Sequence, residues 1–241
     1  MVPGHPDRNE TGFDRLDNPV WWSLVSRHQA LAVGSGRARQ YRSDISVFAA
    51  MVGFDEAAWF DLAKLVGPAR GTVLFGGGIP AEYPSGWVGG ERIPCRQMTI
   101  DGAALARVPP VPLRRLGPDD VPLMLELVAL TKPGPFRSGT IEMGQYDGHF
   151  EGPRLVAMAG ERLGFDGYTE ISAVCTHPDV QGRGLGTALT HHVASRILQR
   201  GERPFLHVAE WNQGARRVYE NLGFVASRYV DAVVVTTPSA S

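Results

Sequence analysis

The stretch HPDVQGRGLGTALTHHV, His177 to Val193, places glycines at 182, 184 and 186 ahead of a segment with helical spacing. Glycines this close leave backbone N–H groups uncovered, and a helix starting there adds the positive end of its dipole, so the pattern predicts an anion site. Nucleotide, dinucleotide and coenzyme A all carry the required phosphate. A Walker A loop needs G-x-x-x-x-G-K-[ST], whereas the chain has only Lys64 and Lys132 and neither follows these glycines. A dinucleotide fingerprint, G-x-G-x-x-G, ends on Thr187 when counted from Gly182 and on Leu189 when counted from Gly184.

Other reactive side chains narrow the chemistry. Cys95 and Cys175 are the two cysteines and lie far apart, which fits neither a disulfide framework nor a thiolate metal site. His177, His191, His192 and His207 show no ligand spacing, and the adjacent pair 191–192 cannot share one helix face, so no metal is expected. His207, on a strand bordering the expected cleft, is kept as a reserve base.

The 24 Lys and Arg nearly balance 25 Asp and Glu, which argues against a general nucleic-acid binder. The amino terminus, MVPGHPDRNETGFDRLDNP, carries charges and prolines where a signal peptide needs an apolar run. No segment has eighteen uninterrupted apolar residues. A soluble cytoplasmic protein, bound to neither membrane nor nucleic acid, is expected.

The elements that must position these residues form an α/β pattern. A helix is predicted near 20–32, and a second from an Asp55 cap to Gly67-Pro68, with Trp59, Leu62, Leu65 and Val66 at helical spacing. GTVLFGGG and RQMTI read as short strands. RVPPVPLRR, with its three prolines, reads as a stiff linker, placing a boundary at 103–112 after an amino-terminal domain of residues 14–102. From Leu113 onward, LRRL is a short strand and Asp119 or Asp120 caps a helix through Leu130. TKPGPFRSGTIEMGQYDG is a long loop. RLVAMAGERL and YTEISAVCTHP form a hairpin about Asp166-Gly167. The glycine stretch opens a helix, PFLHVAEW is a strand, NQGARRVYENLGF a helix ended by Gly223, and SRYVDAVVVTT the last strand region. The expected architecture is a mixed sheet with helices on its faces.

VCTHPDVQGRGLGTAL resembles the acetyl-CoA-binding motif of the GNAT superfamily of N-acetyltransferases, Q/R-x-x-G-x-G/A, on Gln181, Gly184 and Gly186. One strand later come Asn212, Ala215, Tyr219 and ENLGF, similar to the helix that follows the fifth strand in that family. The resemblance covers residues 113–237. It looks closest to the glycine N-acyltransferase-like branch, which carries an extra, degenerate GNAT-like domain without the cofactor motif, here 14–102.

The resemblance implies a fold with a central mixed sheet whose strands splay, and a set of roles. Backbone N–H groups of Gln181, Gly182, Arg183, Gly184, Leu185, Gly186 and Thr187 would wrap the pyrophosphate. Val174, Cys175 and Thr176 would pair their backbone with the pantetheine arm and hold the oxyanion. Asn212 would bond the pantetheine and also cap its helix, and Tyr219 would be the acid that protonates the thiolate. Glu170, eleven residues before Gln181, matches the general base of the histone-acetylating branch and would act as base or as a water relay. Burial in an apolar strand is expected to raise its pKa toward neutrality. Phe136, Arg137 and Tyr146, on the long loop, are the acceptor contacts.

The implied activity is acetyl transfer from acetyl-CoA to a primary amine of a small molecule, amino acid or peptide by direct attack, because no His/Asp pair can be assigned to Cys175. The rival reading is a non-catalytic acyl-CoA sensor or interaction module. A longer acyl donor and a homodimer interface on the amino-terminal domain remain open.

Overall fold

The structure, a computed structural model, describes residues 14–240; much of the terminus read above for a signal peptide lies outside them. The chain divides into two compact units, and neither is continuous in sequence. One takes the described residues up to Tyr41, then Val47–Pro94 and those from Tyr229 on; the other takes Arg42–Ser46 and Cys95–Arg228.

The first unit begins with helix α1 (Pro19–Val25), strands β1 (Ala32–Val33), β2 (Ala38–Tyr41) and β3 (Phe48–Met51), helix α2 (Glu56–Val66) and strand β4 (Gly71–Gly76). The predicted first helix is shorter than expected, giving way to a 3-10 turn at Gln29–Leu31. The second forms as predicted. The Asp55 side chain accepts from Ala58 N at 2.9 Å, Gly67 at φ 88° ends the helix, and Ala58, Trp59, Leu62 and Val66 are buried. β3 and β4 run parallel but pair only at Phe48–Val73 and Ala49–Leu74. Beyond that point Asn18 Nδ2 donates to Met51 O at 2.7 Å and Gly77 N to Asp17 O at 2.7 Å, so the chain's own turn fills the space where the strands part.

Strand β5 (Val88–Thr99) passes from the first unit into the second. There follow β6 (Arg114–Arg115), α3 (Val121–Thr131), β7 (Tyr146–Glu151), β8 (Arg154–Phe165), β9 (Tyr168–Thr176), α4 (Leu185–Gln199), β10 (Arg203–Ala209), α5 (Gln213–Asn221) and β11 (Val225–Thr236), which returns to the first unit. The second unit's sheet has the order β5-β10-β9-β8-β7-β6, with β9 and β10 parallel and the other pairs antiparallel.

These pairings redraw the sequence division. Cys95–Thr99 pairs with β10, and Asp231–Thr236 pairs with β4, so the unit boundaries fall at 94/95 and 228/229 rather than at a linker after residue 102. The proline-rich segment is also no free spacer. Ala106 N donates to Leu222 O, and Leu105, Val108 and Val111 pack on the second unit's core.

Alternation along β8 explains the layers. Ala157 and Ala159 face a core built with Leu189, Val193 and Ile197 of α4, whereas Met158 faces Met124 and Leu127 of α3. Leu189, Val193 and Ile197 have no exposed surface, and burial of each stabilises the unit by about 1.5–3 kcal/mol. This fixes α4, and with it the glycine loop, on the sheet.

Candidate active site

Parallel pairing of β9 and β10 ends at Ile171 and Leu206. β9 continues through Thr176, so its backbone from Ser172 onward has no ladder partner in β10. A bulge lies in the same stretch. Ala173 and Val174 stand opposite Ala159 alone, between the pairs Ser172–Gly160 and Cys175–Met158, and Ala173 adopts φ 51°. A non-glycine residue in that region costs roughly 1–3 kcal/mol, strain of a kind found at ligand sites. An extended ligand arm could pair with Val174, Cys175 and Thr176 as an added strand would.

Past Thr176, a 3-10 turn at Pro178–Val180 leads to Gln181 and the loop. Gly182 and Gly184 have φ of 80° and 77°, which glycine alone adopts without strain, and a Cβ at either would project into open space. Gly184 precedes the fifteen-residue α4, and no side chain caps that N-terminus. The first N–H groups of the helix, from Leu185, Gly186 and Thr187, are therefore offered to a ligand. Gly186 lies close to β9, where its Cβ position is 3.6 Å from Thr176 Oγ1. Arg183 forms an exposed ion pair with Glu151 at 2.8 Å, a contact that a phosphate could readily replace. These residues fit a pyrophosphate: small, open, N–H-rich, at a helix's positive end.

Asn212 caps α5 by accepting from Ala215 N at 3.0 Å. Tyr219 is 7 % exposed and packs edge-on to Phe224. Burial, with the Cys175 thiol adding to it, pushes its hydroxyl up to about 12, so it stays a proton donor. Burial likewise pushes the Cys175 thiol up to about 11, the opposite of what a nucleophilic cysteine needs.

Glu170 departs from expectation. It is fully buried, yet its pKa is lowered to about 2 rather than raised. Desolvation pushes upward, but Arg162 outweighs it with bonds of 2.6 and 2.7 Å, and His207 adds a third contact at 2.6 Å. A carboxylate held this firmly in its ionised form is a poor acceptor at neutral pH.

The acceptor loop also differs. Tyr146 belongs to β7, 1 % exposed, with its ring over Gly160 and its buried hydroxyl without a hydrogen-bond partner. Phe136 is half-buried, edge-on to Tyr146 at 5.6 Å. Arg137 donates to Ser43 O at 2.7 Å, helping to tie Arg42–Ser46 to this unit together with the Arg42–Glu142 pair at 3.0 Å. Its side chain thus has a structural partner already.

Sequence reasoning missed Arg162 and Gln97. Spacing about the Asp166-Gly167 turn sets Glu170 opposite Leu163; a bulge that places both Arg162 and Leu163 against Glu170 is what brings the arginine abreast of the glutamate. Among the described residues, no group of three or more His, Cys, Asp or Glu could hold a metal, and no helix is long and apolar enough to cross a membrane.

A sheet splayed between two parallel strands, with an uncapped glycine loop at the head of the crossover helix, defines the GNAT acetyltransferase class. Residues 146–231 match the family model described as FR47-like protein. A protein from Novosphingobium aromaticivorans described as an acetyltransferase of the GNAT family is 37 % identical, with 95 % of this chain and 100 % of that chain covered and a TM-score of 0.84. The chain therefore belongs to the GNAT family of acetyltransferases. A GCN5-related N-acetyltransferase from Kribbella flavida shares the fold at 17 % identity, covering 92 % of this chain and 94 % of that one with a TM-score of 0.57. A Drosophila protein does so at 16 % identity, covering 84 % and 74 % with a TM-score of 0.59. No curated protein matches the sequence.

Proposed function

We propose that the protein moves an acetyl group from acetyl-CoA to a primary amine of a small molecule, amino acid or peptide by direct attack. The observation that carries this reading is the combination of three features: the uncapped N-terminus of α4, the end of β9 that runs on past its pairing with β10, and the buried Tyr219. Gln181 to Thr187 would hold the pyrophosphate, the backbone of Val174 to Thr176 would hold the pantetheine and polarise the thioester carbonyl, and Asn212 would add a contact beside its capping role. Acetyl-CoA supplies the activated acyl group. Tyr219 keeps its proton until the thiolate departs, and the protonated Cys175 takes no part as a nucleophile.

Within the acceptor side, Phe136 is the apolar contact that remains partly exposed. The first unit fits a degenerate repeat of the same build, as in the glycine N-acyltransferase-like branch. It too carries a parallel pair joined by a helix, but Asp55 caps that helix and Asp17-Asn18 occupy the gap between β3 and β4. A carboxylate where phosphate would sit leaves no place for coenzyme A. Tyr219 also tells against a purely acyl-CoA-sensing role, for which no acid is needed.

The test is calorimetric titration with acetyl-CoA together with turnover on an amine panel, for wild type and Tyr219→Phe. Binding near one per chain is expected in both, with kcat lowered in the variant. Saturable binding without turnover of any amine would favour the sensor reading instead.

A further inference from the structure

His207 is the first residue of β10 beyond its last pair with β9, so it stands at the apex where the two strands part. Its side chain is 4 % exposed. Nδ1 lies 2.6 Å from Glu170 Oε1, and because an ionised carboxylate only accepts, Nδ1 carries the proton. Glu170 is itself gripped on both oxygens by Arg162 and takes a third donor, Leu163 N, at 3.3 Å. On the other side of the ring, Nε2 lies 3.0 Å from Gln97 Nε2, the residue directly opposite in the β5–β10 ladder. Ser227 Oγ donates to Gln97 Oε1 at 3.3 Å. Five side chains from β8, β9, β10, β5 and β11 thus form one line, with a single basic lone pair on His207 Nε2.

We propose that His207 Nε2 accepts the proton of the incoming ammonium, that Glu170 is a positioning residue fixing the ring and its tautomer, and that Arg162 keeps Glu170 ionised. This rests on the acetyl-transfer reading. The ammonium gives one proton to Nε2, directly or through one water, and becomes a neutral amine. The amine lone pair forms the C–N bond to the thioester carbonyl carbon. The C–S bond then breaks, the thiolate takes the Tyr219 proton, and the second amine proton leaves as the amide forms and restores the tyrosine. His207 returns its proton to solvent, so the sum is ammonium plus thioester giving amide, thiol and one proton.

The surroundings suit an imidazole that must be neutral at rest. Burial lowers the His207 pKa, Glu170 opposes this, and Arg162 and Arg228 add to the lowering; these are the charged groups facing it from β8, β9 and β11. Gln97 accommodates both states. As it stands its amide donates to Nε2, and turned over it would present Oε1 to a protonated ring while its nitrogen faced Ser227.

The experiment compares pH profiles of kcat/KM for wild type, His207→Gln and Glu170→Gln, with acetyl-CoA titrations on each. His207→Gln should bind acetyl-CoA within about twofold of wild type, lose about 10²- to 10⁴-fold in kcat/KM near neutrality, and lose the acidic limb of the profile. Glu170→Gln should move that limb to lower pH, which a purely structural role would not do. Because either substitution could unfold a buried network, 15N spectra of wild-type histidines over the same pH range give a second readout. His207 should show a proton on Nδ1 and titrate along the kinetic limb. A folded His207→Gln that keeps both rate and limb, or a His207 that does not titrate where kcat/KM changes, overturns the proposal. Wild type that fails to bind acetyl-CoA would overturn the acetyl-transfer reading and this proposal with it.

Discussion

Gly184→Ala separates the cost of the loop's shape from its use. Gly184 sits at φ 77°, ψ 6°, and an alanine there meets no atom within 4 Å, so the fold loses only the left-handed strain of an L-residue, about 1–2 kcal/mol. The same methyl would stand in the open space above the loop, where the pyrophosphate is proposed to lie. Displacing one phosphate oxygen from its N–H groups removes charge-assisted hydrogen bonds worth about 1.5–3 kcal/mol each, or roughly ten- to 150-fold in acetyl-CoA affinity. Gly201 provides the control, at φ 75° with no atom within 4 Å of its Cβ position, at the far end of α4. Urea unfolding of Gly184→Ala and Gly201→Ala should show similar losses, whereas calorimetry should show weakened acetyl-CoA binding only for the first. Equal affinity in the two variants would refute the assignment of this loop to the phosphates.

Two further outcomes follow from the same geometry. Glu170 has its folded pKa depressed from 4.5 to about 2, so its contribution is present above the unfolded value and is lost as pH falls through the folded one; on the order of 3 kcal/mol should disappear between about pH 4.5 and 2, measured by denaturant titration at stepped pH and absent in a Glu170→Gln, Arg162→Met pair. Asn212→Ala should cost about 1 kcal/mol through the lost α5 cap, while Asn212→Asp should keep stability by preserving the acceptor for Ala215 N yet weaken acetyl-CoA binding through its charge.

The local sequence determined what local physics controls. The Asp55 cap, the stop at Gly67, the Asp166-Gly167 hairpin and the glycine loop opening α4 depend on residues within a few positions of one another, and each stands where spacing put it. The β7 strand did not declare itself, because YDGHFE is short and lacks clear alternation; it exists through its ladder with β8. Pairing across long separations was equally out of reach. That Cys95–Thr99 would join β10 and Asp231–Thr236 would join β4 depends on partners more than 100 residues away, so the contiguous division at 103–112 could not anticipate two interleaved units. Glu170 gives the clearest lesson. Its burial was legible in the apolar strand around it, but the sign of its pKa shift depended on Arg162 and His207, and only the tertiary structure brings that guanidinium and that ring N–H against the carboxylate.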